Sequence, residues 1–327
     1  MSPADKEYSL THQLLLTKFG DPRDVPSNGN LSGHSVEEWG AVLGLPLSAA
    51  TSEFVSLGLL REPTIGEKLQ SLLKVPDLKG HLRQRGMPVS GKKSESATRL
   101  AQSDPQSAQS LTQGRAVYAS TEDGSRLIRE CQDAGKASRT RMEESLADLL
   151  ARGEFRKAVV DLASFEAAQV FPRGMGIDWA HLDPEPMERR IRLIFTRVPK
   201  SLIDTPSEYL PICRVGAAMF VLVWNVGEVS TWISRHIPGE TEERLCKIAQ
   251  DLHSHACFLD EIDTLESFQA IGGLYRLRVH ASNDDHVCAS CKHLAEGTHP
   301  LENSPEIPNP DCSSESWCRR SVAGELL

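Results

Sequence analysis

Residues 72 to 100, LLKVPDLKGHLRQRGMPVSGKKSESATRL, constrain the fold more tightly than any other stretch of the chain. Pro76 stands where the first turn of a helix tolerates proline, because the amide there has no helical partner. Leu78 and Leu82 follow four apart and share one face. Gly86 is placed to end this helix as its C′ residue. Met87, Pro88 and Val89 make a short apolar connection, and Ser90 is the expected N-cap of a second helix running through Leu100. Two such short helices bury little surface. Leu78, Leu82, Met87, Val89 and Leu100 must therefore pack together or lean on a neighbour.

Charge gives the same stretch a functional reading. From Lys68 to Leu100, eight lysines and arginines oppose Asp77 and Glu95, a local charge of +6. The chain as a whole carries −9, which leaves −15 on the remainder. A basic island in an acidic protein is the electrostatic footprint of a polyanion site. Lys79 and Arg83 lie four apart on one helix face, and Lys92 and Lys93 open the second helix, where the dipole disfavours cations. That placement makes sense if a phosphate docks at the amides exposed there. The candidate nucleic-acid ligands are Lys74, Lys79, Arg83, Arg85, Lys92, Lys93 and Arg99.

Leu78-Lys79, Gly86-Met87-Pro88, Gly91-Lys92-Lys93 and Arg99-Leu100 fall at the spacings of a SAP box, and the stretch resembles that helix-turn-helix module of chromatin-associated and DNA-repair proteins. The resemblance covers about a tenth of the chain. It implies DNA binding through the backbone with weak sequence preference. Ser96 departs from the pattern, standing where the family has a leucine. The structural alternative is a basic helical hairpin that only packs on its neighbours.

The rest of the chain reads as mainly α. A short helix is expected over Leu10 to Leu16, a loop over residues 20 to 34, and a helix after Ser35 with a capping-box pattern to Glu38. Phe54, Val55, Leu57 and Leu60 mark another helix, and Leu69, Leu72 and Leu73 a third. Residues 103 to 114, with Leu111 as their one aliphatic residue besides alanine, read as a flexible linker. Beyond residue 115 the stripes are helical again. Met187, Ile191, Ile194 and Val198 keep a helical period, and so do Leu245, Ile248, Leu252, Ala256 and Leu259. Leu265 to Val279 reads as the last helix, and Trp179 is expected to be pinned into the core from its loop. The expected division is a helical N-terminal region (1–67), the box (68–102), the linker (103–114), a helical domain (115–283) and a cysteine-rich tail (284–327).

The tail is the second informative stretch. It holds Cys288 and Cys291 in C-x2-C spacing, which turns two thiolates towards one ion, and Cys312 and Cys318 in a looser C-x5-C. His286, His293 and His299 are near enough in sequence to replace one ligand. Few aliphatic residues lie here, so a structural zinc is the natural source of order. A disulfide or redox pair and an unmetallated tail are the alternatives. The tail also resembles the ends of phage head-morphogenesis proteins, through Cys288, Cys291, Pro305, Pro308, Cys312 and Cys318-Arg319. Cys131, Cys213, Cys246 and Cys257 are expected as buried thiols.

No phosphate-binding glycine loop, GxSxG elbow or HExxH helix is present. His253 and Cys257 could pair on a helix, whereas His255 could not join them. Glu261 and Asp263 read as surface, and Asp284, Asp285 and Asp311 could serve a nuclease, though nothing in the sequence fixes them in place. The N-terminus lacks a signal-peptide pattern, and the apolar run Val215 to Trp224 is too short to span a bilayer, so a cytoplasmic location is expected. The leading expectation is a non-enzymatic DNA-binding protein with no membrane association. An assembly protein working through protein partners of its helical region, and a metal-dependent enzyme on nucleic acid, are the alternatives.

Overall fold

The computed structural model describes residues 9–26, 29–237, 241–281, 287–313 and 320–326. The chain forms two compact units, residues 1–140 and 141–327.

The first unit begins with α1 (Leu10–Leu16), β1 (Arg23–Asp24), the hairpin of β2 (Asn30–Leu31) and β3 (His34–Ser35), α2 (Val36–Leu43), α3 (Leu47–Ser56) and β4 (Leu60–Arg61). Ser35 and Glu38 form the expected capping box, each side chain accepting the other residue's amide at 3.1 and 2.6 Å. The Trp39 indole, fully buried, donates to the Leu31 carbonyl at 3.0 Å and anchors the hairpin. Residues 20 to 34 are thus more than a loop. Leu60, expected in a helix, instead pairs with Ser120 of β5 (Val117–Ser120).

Between β4 and β5 the chain makes α4 (Ile65–Leu72), α5 (Val75–Gln84), α6 (Lys93–Ser103) and α7 (Pro105–Thr112). The sheet order is β1-β5-β4, all antiparallel, so the four helices are an excursion whose two ends are zipped together by the β4–β5 pair. The linker expectation is overturned. The Asp104 carboxylate accepts the Ser107 amide at 3.1 Å, Pro105 fills the first turn, and Ala108 is fully buried. Low aliphatic content hid a helix whose cap was in plain view. Helix α8 (Glu122–Ala151) runs through the boundary between the units.

The second unit contains α9 (Phe155–Ala167), α10 (Glu185–Thr196), α11 (Leu210–Val221), α12 (Val226–His236) and the long α13 (Glu242–Ala270). Ile191 and Ile194 of α10, Ala217 and Met219 of α11, Ile233 of α12 and Leu245 and Leu252 of α13 share one core. Val198 falls past the end of α10 and stays exposed. Trp179 is buried there as expected, its indole donating to the Arg173 carbonyl at 2.5 Å. The apolar run breaks at Val223, whose φ is +58°, and Asn225 caps α12 by accepting the Glu228 amide. Asp260, 3% exposed, accepts from Arg189 and Arg190 at 2.5 and 2.6 Å and ties α13 to α10.

The expectation of a helix to Val279 fails after Ala270. Residues 275–281 form β6 (Tyr275–Ala281), the middle strand of a sheet ordered β7-β6-β8. With α14 (Ala289–Leu294), β7 (Thr298–His299) and β8 (Arg320–Leu326) it completes the chain. Leu277 and Val279 point to one face and pack with Phe258 and Leu265 of α13, Leu301 and Ile307. The signal was strand alternation, Tyr275, Leu277 and Val279 against Arg276, Arg278 and His280. Among the described residues, no helix is long and apolar enough to cross a membrane.

Candidate nucleic-acid interface and cysteine cluster

The apolar residues expected to hold the box do so. Leu78, Leu82 and Leu100 are fully buried together, with Met87 and Val89 packed against them. The neighbour that so small a pair needs is also present: Leu69 and Ile65 come from α4, and Ala108 and Leu111 from α7. Ser96, the departure from the family pattern, is buried beside Ala97, and Ala97 rather than Ser96 joins the apolar cluster.

Both box helices start in the same way. Lys74 is the N-cap of α5 and Lys92 that of α6, and each amide is taken by an acid three residues on. Asp77 accepts from Lys74 at 3.2 Å and Glu95 from Lys92 at 3.1 Å. Ser90 is therefore not the cap. Gly86 ends α5 with φ +66°, as expected of a C′ glycine. Gly91 has φ +110°, and a Cβ there would lie 2.4 Å from the Glu95 carboxylate, so glycine is what lets Glu95 fold back over the helix start. Glu95 also changes the expectation of a phosphate seated on bare amides. A carboxylate already sits at this end of α6, and it offsets the unfavourable placement of Lys92 and Lys93.

The seven basic candidates divide into two groups. Arg85 donates to Asp104 at 2.9 and 2.7 Å, to the Ser107 hydroxyl at 2.8 Å and to the His81 carbonyl at 2.9 Å, binding α5 to the cap of α7. The Ser107 amide first, and Arg85 second, hold the Asp104 carboxyl below its ordinary range. Arg99 donates to the carbonyls of Pro88 and Ser90 at 2.5 and 3.1 Å and fixes the connection between the helices. These two hold the box together. Lys74, Arg83 and Lys92 are exposed, and Lys79 and Lys93 are half-buried. Among the described residues these five have no ion-pair partner.

The second unit brings three of the four expected metal ligands together. Cys288 caps α14, Cys291 lies within it, and Cys312 arrives from the loop that follows Asn309. Their sulfurs all lie within 4.8 Å of one another, with Cys288 3.8 Å from Cys312 and 2.8 Å from Cys291. Thiolates at about 2.3 Å from a tetrahedral ion stand about 3.8 Å apart, so the first spacing fits a metal and the second opens by about 1 Å. Burial opposes ionisation of Cys288, but hydrogen bonds from Cys291, the Ser313 and Cys291 amides and Cys312 outweigh it and bring its pKa down to about 6. The loop is pinned from both sides: Asn309 donates to the Ser290 hydroxyl at 2.6 Å, and His255 Nδ1 lies 2.8 Å from the Ile307 carbonyl. Three close cysteines of this kind could hold a metal ion. Cys318 and His286 lie outside the described residues, as do Asp284 and Asp285. His299 Nε2 lies 3.0 Å from the Leu294 carbonyl, and His293 pairs with Glu296. Asp311 is exposed beside the cluster.

Of the remaining cysteines, Cys213 and Cys246 are buried and Cys131 and Cys257 half-buried. His253 and Cys257 do approach, at 3.6 Å. Burial, aided by the charge of Arg190, pushes the His253 pKa down to about 4, and burial raises that of the Cys257 thiol, so the pair is neutral. The unfolded imidazole titrates near 6.5. Below that pH the unfolded chain binds a proton that the folded unit excludes until about pH 4. Thermal stability of the second unit should therefore fall as pH drops through this window, and His253→Phe should flatten the fall. Melting curves with the same pH dependence in both proteins would rule the histidine out as the cause.

No curated protein matches the chain, and no solved structure does. The C-terminal likeness to phage head-morphogenesis proteins gains no support from these comparisons. Residues 71–95 match the family model of the SAP domain, so the chain carries, within α4 to α6, a SAP domain, a module that points to nucleic-acid binding.

Proposed function

We propose that this protein is a non-enzymatic nucleic-acid-binding protein that grips the DNA backbone through its SAP domain, with weak sequence preference. The observation that carries the reading is the set Lys74, Lys79, Arg83, Lys92 and Lys93, five cations with no ion-pair partner among the described residues, on a box whose packing other residues complete. Unpartnered lysines and arginines on a rigid scaffold suit phosphates, which position a protein on a duplex without reading its bases. Lys79 and Arg83 would contact the strand from α5, and Lys92 and Lys93 from the start of α6. Arg85 and Arg99 would support the surface from beneath.

Cys288, Cys291 and Cys312 would hold a structural zinc, with Cys318 as the fourth ligand. Four thiolates close the coordination shell and leave no position for a reacting water, which favours a stabilising role over chemistry. The reading is tested by titrating a duplex with the purified chain across salt. Five phosphate contacts predict a log–log slope of about −4.5. Absence of binding at low salt, or a slope near zero, overturns it.

A further inference from the structure

Beside the box, the first unit contains a polar cleft of 620 Å³ that the SAP domain itself does not account for. Lys93 of α6 and Gln70 and Ser71 of α4 line one side, and Arg23, Ser32 and Arg115 the other. Arg23 lies on β1 and Arg115 just before β5, and the antiparallel β1–β5 pair brings these two distant parts of the chain to one wall. The volume lies within the range of about 300–1,000 Å³ usual for a ligand pocket.

The charge in the cleft is the telling feature. Asp24 is already engaged by Arg115, and Asp21 stands exposed. Arg23 has only a long contact of 3.4 Å from its guanidinium to the Ser32 hydroxyl, and its Nε is buried with no partner among the described residues. Burial, and then repulsion from Arg23, lowers the pKa of Lys18. The lining thus sets three cations, Arg23, Lys93 and Arg115, against two carboxylates, Asp21 and Asp24, an excess of one positive charge, and Asp24 Oδ1 is, like Arg23 Nε, buried with no partner among the described residues. Hydroxyls of Ser32 and Ser71 and the amide of Gln70 add donors suited to phosphate oxygens. Lys93 belongs to both the box and the cleft, so the two surfaces are continuous.

We propose that this cleft takes a backbone phosphate of the same nucleic acid that the SAP domain binds, extending the contact from Lys92 and Lys93 onto Arg23 and Arg115. The proposal rests on the nucleic-acid reading above and adds Arg23, Ser32, Gln70 and Arg115, from outside residues 71–95, to Ser71 and Lys93 within them. Arg115 reaches the phosphate while keeping Asp24, and Arg23 supplies the cation that lacks an anionic partner.

The experiment is a fluorescence-anisotropy titration of a short duplex with the full chain and three variants, Ser71→Glu, Gln70→Glu and Arg23→Gln. Each changes the cleft's charge without touching the exposed face of α5. Variants are read when their melting temperature equals that of the unaltered protein, and three positions guard against one failing to fold. The expected result is weaker binding whose loss between about 50 and about 200 mM salt is about threefold smaller, the signature of one phosphate contact fewer. Affinity and slope equal to those of the unaltered chain overturn the proposal. Lys79→Glu/Arg83→Glu is measured in parallel. If it alone weakens binding, the SAP reading stands and the cleft falls. If it binds normally while the cleft variants do not, the cleft stands and the α5 contacts fall.

Discussion

Charge reversal of Lys79, Arg83, Lys92 and Lys93 to glutamate should weaken duplex binding at least about a hundredfold at low salt and flatten the salt slope by about 3 to 4 units. Each lost phosphate contact keeps its counterion, so its contribution disappears from both affinity and slope. The loss should be the same on unrelated sequences, because backbone contacts carry no base information. Folding should survive. None of the four side chains belongs to the apolar cluster of Leu69, Leu78, Leu82, Ala97, Leu100 and Ala108. Glutamate at position 93, the first residue of α6, agrees with the helix dipole better than lysine does. Arg85→Ala supplies the contrast. It removes the links to Asp104, Ser107 and His81, so it should lower the melting temperature and leave the salt slope unchanged. Undiminished binding by the fourfold variant would take the box out of the mechanism.

What was legible in the sequence was whatever depends on neighbours along the chain. The box's apolar set, its Gly86 stop and the Ser35 cap all follow from spacings of three or four residues, and each appears as read. Ser90 misled because serine is the usual cap, whereas here Glu95 supplies the capping bond from three residues inside the helix. The supposed linker misled because composition was weighed above its Asp104-Pro105 start signal. Strand β6 carries its alternation openly, but the partner that makes it a strand is remote: Tyr275 pairs with Leu326. The cleft was invisible for the same reason. Arg115 and Asp24 are 91 positions apart, and only the β1–β5 pairing sets them side by side. That Cys312 joins Cys288 and Cys291 was legible because thiolate chemistry, unlike apolar packing, narrows the choice of partners to a few residues.

Removal of metal should unfold the C-terminal sheet and its loops while leaving DNA binding intact. The purified chain is expected to hold about one zinc, released by a thiol-reactive reagent and lost in Cys291→Ser. The local core explains the size of the effect. Beyond α13, the buried apolar side chains among the described residues are, besides Cys291, Leu277, Val279, Val287, Leu301, Ile307 and Pro308, too few to order so polar a segment alone. Cys312 lies 24 residues from Cys288, so an ion shared by the two closes a long loop and removes much of its freedom in the unfolded chain. Without it, amide hydrogen exchange should rise through residues 287–313 and along β6, and α14 should lose its cap at Cys288. The SAP domain lies in the first unit and takes no ligand from this cluster, so the salt slope on duplex DNA should not change. The dissociation matters, because it separates a stabilising ion from one that takes part in nucleic-acid chemistry. A chain that carries no metal when purified, or a Cys291→Ser variant with unaltered exchange at β6, would show that the three thiols order this segment without an ion.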